Sequence, residues 1–259
     1  MPWIDANGVS LRYELAGNSG PAVVLMHEMG GSLHSFDTVA PDLSKRFRVL
    51  RYDQRGTGLS EKVRAPFSHD DLTDDLESIL AAAKLEPPYC MVSVAAAAVQ
   101  VLRFIERHPD RVSRLALCNP APGVDANRAA QLDERAARAE REGLRATLDI
   151  TLDKSYPPAL TDRATYEEYR GRYLANDPVC FANMNRMFAR ANMMHMLSRL
   201  SCPTLVIAGR QDSVRPPAMS EQIARMIPGA RFEQIDAGHF MPTTAPKALL
   251  ALLEPFFSA

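Results

Sequence analysis

The chain opens on a hairpin pattern. Trp3-Ile4-Asp5 is followed by an Asn7-Gly8 turn and then by Val9–Leu15, in which apolar and polar positions alternate. The continuous apolar run Ala22–Met26 reads as a strand covered on both faces. A helix over 36–45 and a strand over Phe47–Tyr52 come next. Leu72, Leu76, Ile79 and Leu80 recur at helical spacing over 71–84, with Asp70 and Asp71 opening the helix. A strand over Tyr89–Val94 runs directly into a helix over 95–108, and Arg114–Cys118 is another strand. After a charged, helix-patterned stretch over 122–200, the alternation resumes. It gives strands at Thr204–Ala208 and Arg231–Ile235, with helices at Ala218–Met226 and Ala245–Phe257. Strands alternating with helices predict an α/β protein with a mostly parallel, doubly wound sheet, here of eight strands. Such sheets carry their sites outside the carboxyl ends of the strands.

No linker or internal repeat separates the 122–200 block, so it reads as an insertion in one domain formed by 1–121 and 201–259. Within it, Glu134 and Arg138 form an i,i+4 pair on a solvated face, and the Met-rich stretch 183–197 reads as core filling. Met193, Met194 and Met196 are also candidates for the lining of an apolar pocket.

Composition narrows the function classes. A formal net charge of -1, without a basic run, argues against nucleic acid or an anionic membrane as partner. The first fifteen residues lack a signal-peptide pattern, and no apolar run approaches membrane-spanning length. Cys90, Cys118, Cys180 and Cys202 show no CxxC spacing and read as free thiols of a cytoplasmic protein. The histidines form no HxH or HxxxH pair, so no metal site is expected. DQRGTGLS, 53–60, lacks the Lys-Ser/Thr ending of a phosphate loop, and no cofactor motif is present. Its Asp53 and Arg55 read as scaffold contacts behind the site. The expected partner is a small-molecule substrate; oligomeric state is not readable.

The loops after the strands carry the chemistry. They are His27-Glu28-Met29-Gly30-Gly31, DQRGTGLS, the alanine turn after Val94, Gly209-Arg210-Gln211-Asp212 and Asp236-Ala237-Gly238-His239-Phe240. All fall at one end of a parallel sheet. DQRGTGLS together with the late GRQD and GHFMP pair strongly resembles the α/β-hydrolase superfamily, with the acid before the histidine. The resemblance covers nearly the whole chain outside 122–200. It implies an α/β-hydrolase fold with 122–200 as a helical cap. It further implies that Asp212 orients His239 and stabilises its imidazolium.

The family's G-x-S-x-G elbow falls on Ser93-Val94-Ala95-Ala96-Ala97 when counted back from HPDRV, 108–112. The nucleophile position is then Ala95, and Ser93 replaces the first glycine. Sliding the register by two residues would make Ser93 the nucleophile and keep its side-chain direction. The resemblance implies oxyanion-hole amides at Met29 and Ala96. Glu28 stands where the family's His-Gly has glycine; its side chain either turns away or supplies a second acid/base group. Phe240 is a further site-lining candidate. The departures cluster at the reacting centre while the scaffold motifs remain, which favours a lineage with a changed site over one inactivating substitution.

Alanine cannot form an acyl-enzyme. The reading is therefore an enzyme acting on a small, fairly apolar substrate with a His239–Asp212 dyad as general base. The dyad would drive hydrolysis by activated water, or carbon–carbon, lyase or cofactor-free oxygenation chemistry. Two alternatives stay open: a non-catalytic ligand-binding or receptor-like protein, and a serine hydrolase that carries an inactivating alanine or uses Ser93.

Overall fold

A computed structural model describes residues 2–258. Eight strands form one sheet: β1 (Trp3–Ala6), β2 (Val9–Ala16), β3 (Ala22–Met26), β4 (Arg48–Tyr52), β5 (Tyr89–Val94), β6 (Val112–Cys118), β7 (Thr204–Gly209) and β8 (Arg231–Ile235). Their order is β1-β2-β4-β3-β5-β6-β7-β8. β1 and β2 pair antiparallel, as do β2 and β4; every later pairing is parallel. β3 and β5 are buried at every position, as their unbroken apolar runs require when both faces carry helices.

Helices cover the two faces and build two apolar cores. One packs the helices His69–Ala82 and Ala97–Arg107 against β3, β5 and β6 through Leu76, Ile79, Val101 and Phe104. The other packs Pro246–Ser258 on the opposite face through Leu249, Leu253 and Phe257. Between β6 and β7 the chain runs through the helices Ala126–Glu142, Arg163–Leu174 and Pro178–Ala189. A small aromatic core of its own, with Tyr156, Tyr169, Tyr173 and Phe181, ties this segment to Phe240 of the sheet layer. Among the described residues no helix is long and apolar enough to cross a membrane. All four cysteines are free thiols.

Some boundaries differ from the pattern-based expectation, each for a local reason. The helix expected over 36–45 is only a turn at Leu33–Phe36 and a short helix at Ala40–Leu43, which starts where Pro41 can be accommodated. The helix expected to open at Asp70 starts earlier: Ser68 caps it, and Asp71 returns a bond to the Ser68 amide. The helix expected from Ala95 begins at Ala97, because the chain must first turn a corner.

Candidate functional site

That corner is Ala95. Its φ of 52° lies in the left-handed region, which costs a residue with a Cβ about 1 kcal/mol. Neighbouring backbone holds it there. The Ala95 amide donates to the Cys118 carbonyl at 2.9 Å, and the Ala95 carbonyl accepts from the amides of Ala98 at 3.2 Å and Ala121 at 3.0 Å. The chain thus leaves β5, presents the Ala95 methyl at the apex, and enters a helix two residues later. Ser93 lies before this corner within β5, fully buried, with an Oγ lacking a hydrogen-bond partner and outside the cavity lining.

A cavity of about 310 Å³ opens above the turn, bounded in part by Glu28, Met29, Ala95, Ala96, His239 and Phe240. His239 arrives on the loop after β8 and Asp212 on the loop after β7. Asp212 is held rigidly: its Oδ1 accepts the amides of Val214 and Arg215, both at 2.8 Å. Its Oδ2 meets His239 Nδ1 at 2.6 Å. A carboxylate partner puts the proton on Nδ1 and leaves Nε2 as the acceptor. Nε2 makes no hydrogen bond among the described residues, and the ring lies against Phe240.

One residue of this frame went unnoticed in the sequence. Asn119, just past β6, has a φ of 46° and no solvent exposure. Its Oδ1 accepts the Gly209 amide at 2.8 Å, and its Nδ2 donates to the carbonyls of Gly238 at 3.1 Å and His239 at 2.9 Å. A single amide therefore locks the start of the Asp212 loop to the His239 loop. The available signal was an asparagine directly after an apolar strand, where a left-handed residue is tolerated.

Glu28 is 1% exposed. Its Oε1 accepts Ser35 Oγ at 2.6 Å and the Tyr169 hydroxyl from the helical segment. Its Oε2 is buried without a partner. Buried polar atoms in native proteins are nearly always bonded, so such an atom marks a place where a ligand or water completes the set. Burial, with Glu28 alongside, raises the Tyr169 hydroxyl well above its ordinary range. Asp53 and Arg55 stand off the cavity: Asp53 accepts the amides of Leu33 and Leu59, and Arg55 pairs with Asp75 at 2.6 Å.

Of the two readings of the Met-rich stretch, core filling agrees with the fold and pocket lining does not. Met193 and Met196 sit in the main core rather than on the cavity, and Met194 packs against that core. The cavity instead carries Arg128, Arg135 and Arg215 among apolar groups such as Phe181, Phe188 and Val214. Burial lowers the Arg135 guanidinium to about 10, with the Arg128 charge acting the same way. Burial lowers Arg215 to about 10 as well, partly offset by Asp212, and it also lowers Arg128. Among the described residues no group of three His, Cys, Asp or Glu side chains is arranged to hold a metal ion.

The sequence pattern of the alpha/beta hydrolase fold family matches residues 21–246. RutD of Yersinia enterocolitica, named as a candidate carbamate hydrolase, is 27% identical over 245 residues, covering 90% of this chain and 86% of its own. The crystal structure of the enol-lactonase from Burkholderia xenovorans LB400 superposes with a TM-score of 0.93, at 27% identity over the whole of both chains. A hydrolase from Pseudomonas aeruginosa PA01 superposes with a TM-score of 0.92, at 30% identity over 100% of this chain and 98% of its own.

Proposed function

We propose, since the chain belongs to the α/β-hydrolase family, that it is a hydrolase which attacks a carbonyl with water activated by His239, without a covalent intermediate. The observation that carries this reading is the pairing of an empty apex with an intact base. On this reading Ala95 stands at the family's nucleophile position; it lies in left-handed backbone and shares its cavity with His239, which Asp212 contacts.

The step follows from the groups present. His239 Nε2 takes a proton from water, and the water oxygen attacks the carbonyl carbon. Charge then develops on the carbonyl oxygen, where the amides of Met29 and Ala96 would receive it. Asp212 stabilises the imidazolium that forms. Collapse breaks the bond to the leaving group, which takes the proton from His239. Glu28 Oε2, buried and unpartnered, is the second group available for proton transfer. The names of the relatives, an enol-lactonase and a candidate carbamate hydrolase, support an acyl substrate.

The test is a panel of lactones, carbamates and esters run with the wild type, His239→Ala and Ala95→Ser. Expected are steady-state hydrolysis without a burst, a loss of about a thousandfold in His239→Ala, and no gain in Ala95→Ser. A burst with covalent phosphonate labelling and higher turnover in Ala95→Ser would instead assign serine chemistry. Ligand-induced stabilisation without turnover across the panel would assign a receptor.

A further inference from the structure

Arg48, Arg111 and Arg114 are half-buried away from the cavity, where they meet a backbone carbonyl, a tyrosine hydroxyl and an aromatic ring; the other buried and half-buried arginines are of two kinds. Arg12 pairs with Glu14 and Asp53, Arg51 with Glu14 and Asp37, and Arg55 with Asp75. Arg128, Arg135 and Arg215 form no ion pair among the described residues, and all three line the one cavity that holds Ala95 and His239. A charge taken out of water without a directly bonded counter-charge is costly, and three like charges around one space add repulsion. Such an arrangement persists where a ligand supplies the missing anion.

Arg135 is the most constrained of the three. It is 8% exposed, and its Nε donates to Asn185 Oδ1 at 2.6 Å. Its guanidinium lies over the Phe181 ring, 5.6 Å from the centroid, and one terminal nitrogen meets Met29 Sδ at 3.5 Å. The guanidinium is thus fixed in orientation next to Met29, with donors unspent. Arg215 sits on the Asp212 loop; among the described residues its guanidinium makes one bond, a long one of 3.4 Å, to the Gly123 carbonyl. Arg128 stands at the opening turn of its helix, bonded to Gln131 at 3.1 Å, with its own amide donating to Asp125 at 2.7 Å. Three carboxylates lie near them without forming an ion pair among the described residues: Asp125, also on the cavity, acts on Arg128 from a distance, Asp212 acts on Arg215 while its oxygens bond backbone amides and His239, and the bonded oxygen of Glu28 faces Ser35 and Tyr169.

We infer that the cavity is a carboxylate clamp: the substrate is a small acyl compound carrying a carboxylate, held by Arg135 and steadied by Arg215 and Arg128. A planar guanidinium with a fixed plane matches a carboxylate by two parallel bonds. Because Arg135 touches the side chain of Met29, a carboxylate held there lies a short chain away from a carbonyl presented to the Met29 amide. The lowered guanidinium pKa values agree with this, since a bound anion repays the burial of the charge. The inference deepens the proposed hydrolase reading by naming the class of its substrate, and it rests on that reading only for the position of the reacting carbonyl.

The test is binding, measured by calorimetry with succinate, its uncharged diamide and inorganic phosphate. The proteins are the wild type, His239→Ala, Arg135→Gln, Arg135→Lys and Arg215→Gln. Succinate is expected to bind wild type and His239→Ala alike, and at least about tenfold more weakly to Arg135→Gln and Arg215→Gln. Arg135→Lys should restore only part of the affinity, because it keeps the charge and loses the fork. Circular dichroism establishes that each variant is folded, and Arg215→Gln carries the test if Arg135→Gln does not fold. Equal binding of succinate and the diamide, or unchanged succinate affinity in folded Arg135→Gln and Arg215→Gln, overturns the clamp. Phosphate binding tighter than succinate overturns the assignment to a carboxylate. Turnover surviving in His239→Ala, with succinate binding still lost in Arg135→Gln, overturns the general-base reading and leaves the clamp standing.

Discussion

Replacing Arg135 by methionine should stabilise the ligand-free protein while removing its response to ligand. Burial lowers the guanidinium from its ordinary range to about 10, a difference equivalent to about 3 kcal/mol against the charged form. That penalty is constant at any pH below 10 and disappears only as the pH climbs above 10 toward the guanidinium's ordinary range. Methionine fills a similar volume without a charge. Against the gain stands the Asn185 bond: its loss leaves Asn185 Oδ1 buried without a donor, at a cost of about 1–3 kcal/mol. The net expectation for Arg135→Met is a gain of about 1 kcal/mol, or roughly 2–4 °C in Tm for a chain of this size. Adding Asn185→Leu removes the orphaned acceptor and should roughly double the gain. The assay is thermal unfolding at several pH values between 6 and 9, with and without succinate. The ligand-free gain should be flat across that range. Succinate at about a hundred times its Kd should raise wild type by about 2.7 kcal/mol and the variant by little, reversing their order. A ligand-free loss in the double variant, or equal stabilisation of wild type and variants by succinate, would refute the reasoning.

Two further expectations come from other parts of the molecule. Burial lowers His69 from 6.5 to about 4, so the unfolded chain binds a proton in that window while the native protein does not. Stability should therefore fall by about 3 kcal/mol as the pH drops from 6.5 to 4, and urea titrations of His69→Leu should show a shallower fall. Gly31 has no room for a side chain, since a Cβ there would stand 2.3 Å from Glu28 Oε1 and 2.8 Å from Ser35 Oγ. Gly31→Ala should cost about 2 kcal/mol in denaturant midpoints, and most of that should return in the double variant Glu28→Gly/Gly31→Ala; an equal cost in both backgrounds would show the two sites to be independent.

β3 and β5 were readable from the chain because they are buried on both faces, so that they begin and end where their apolar runs do, and β8, the edge strand of the same sheet, because its residues alternate. The meeting of Asp212 and His239 was readable for a related reason: each lies just beyond a strand of that sheet, and parallel strands gather their outgoing loops at one end. What could not be read is what depends on side-chain direction across distant segments. Arg135 falls in a stretch, 133–142, that looks like the solvated face of a charged helix. Only the fold shows that Arg135 turns inward, against Phe181, while its helical neighbours Glu134 and Arg138 do not line that cavity. The pocket consequently reads as apolar in the sequence and as cationic in the structure. Ser93, the hydroxyl nearest the turn in sequence, is buried within β5, before a corner whose left-handed residue is Ala95 and outside the cavity lining.

Asn119 bears on where the histidine frame is held together. Its position demands a left-handed backbone and, on one short side chain, both an acceptor for Gly209 and donors for Gly238 and His239. Glycine meets the first demand and offers no side chain. Aspartate meets the first and has no donor, and glutamine reaches too far. The position therefore admits essentially one residue type, for reasons that have nothing to do with whether a serine stands at the apex. In this chain, whose turn after β5 carries only alanines, the residue that ties the two loops of the histidine frame together stands one strand later, just past β6.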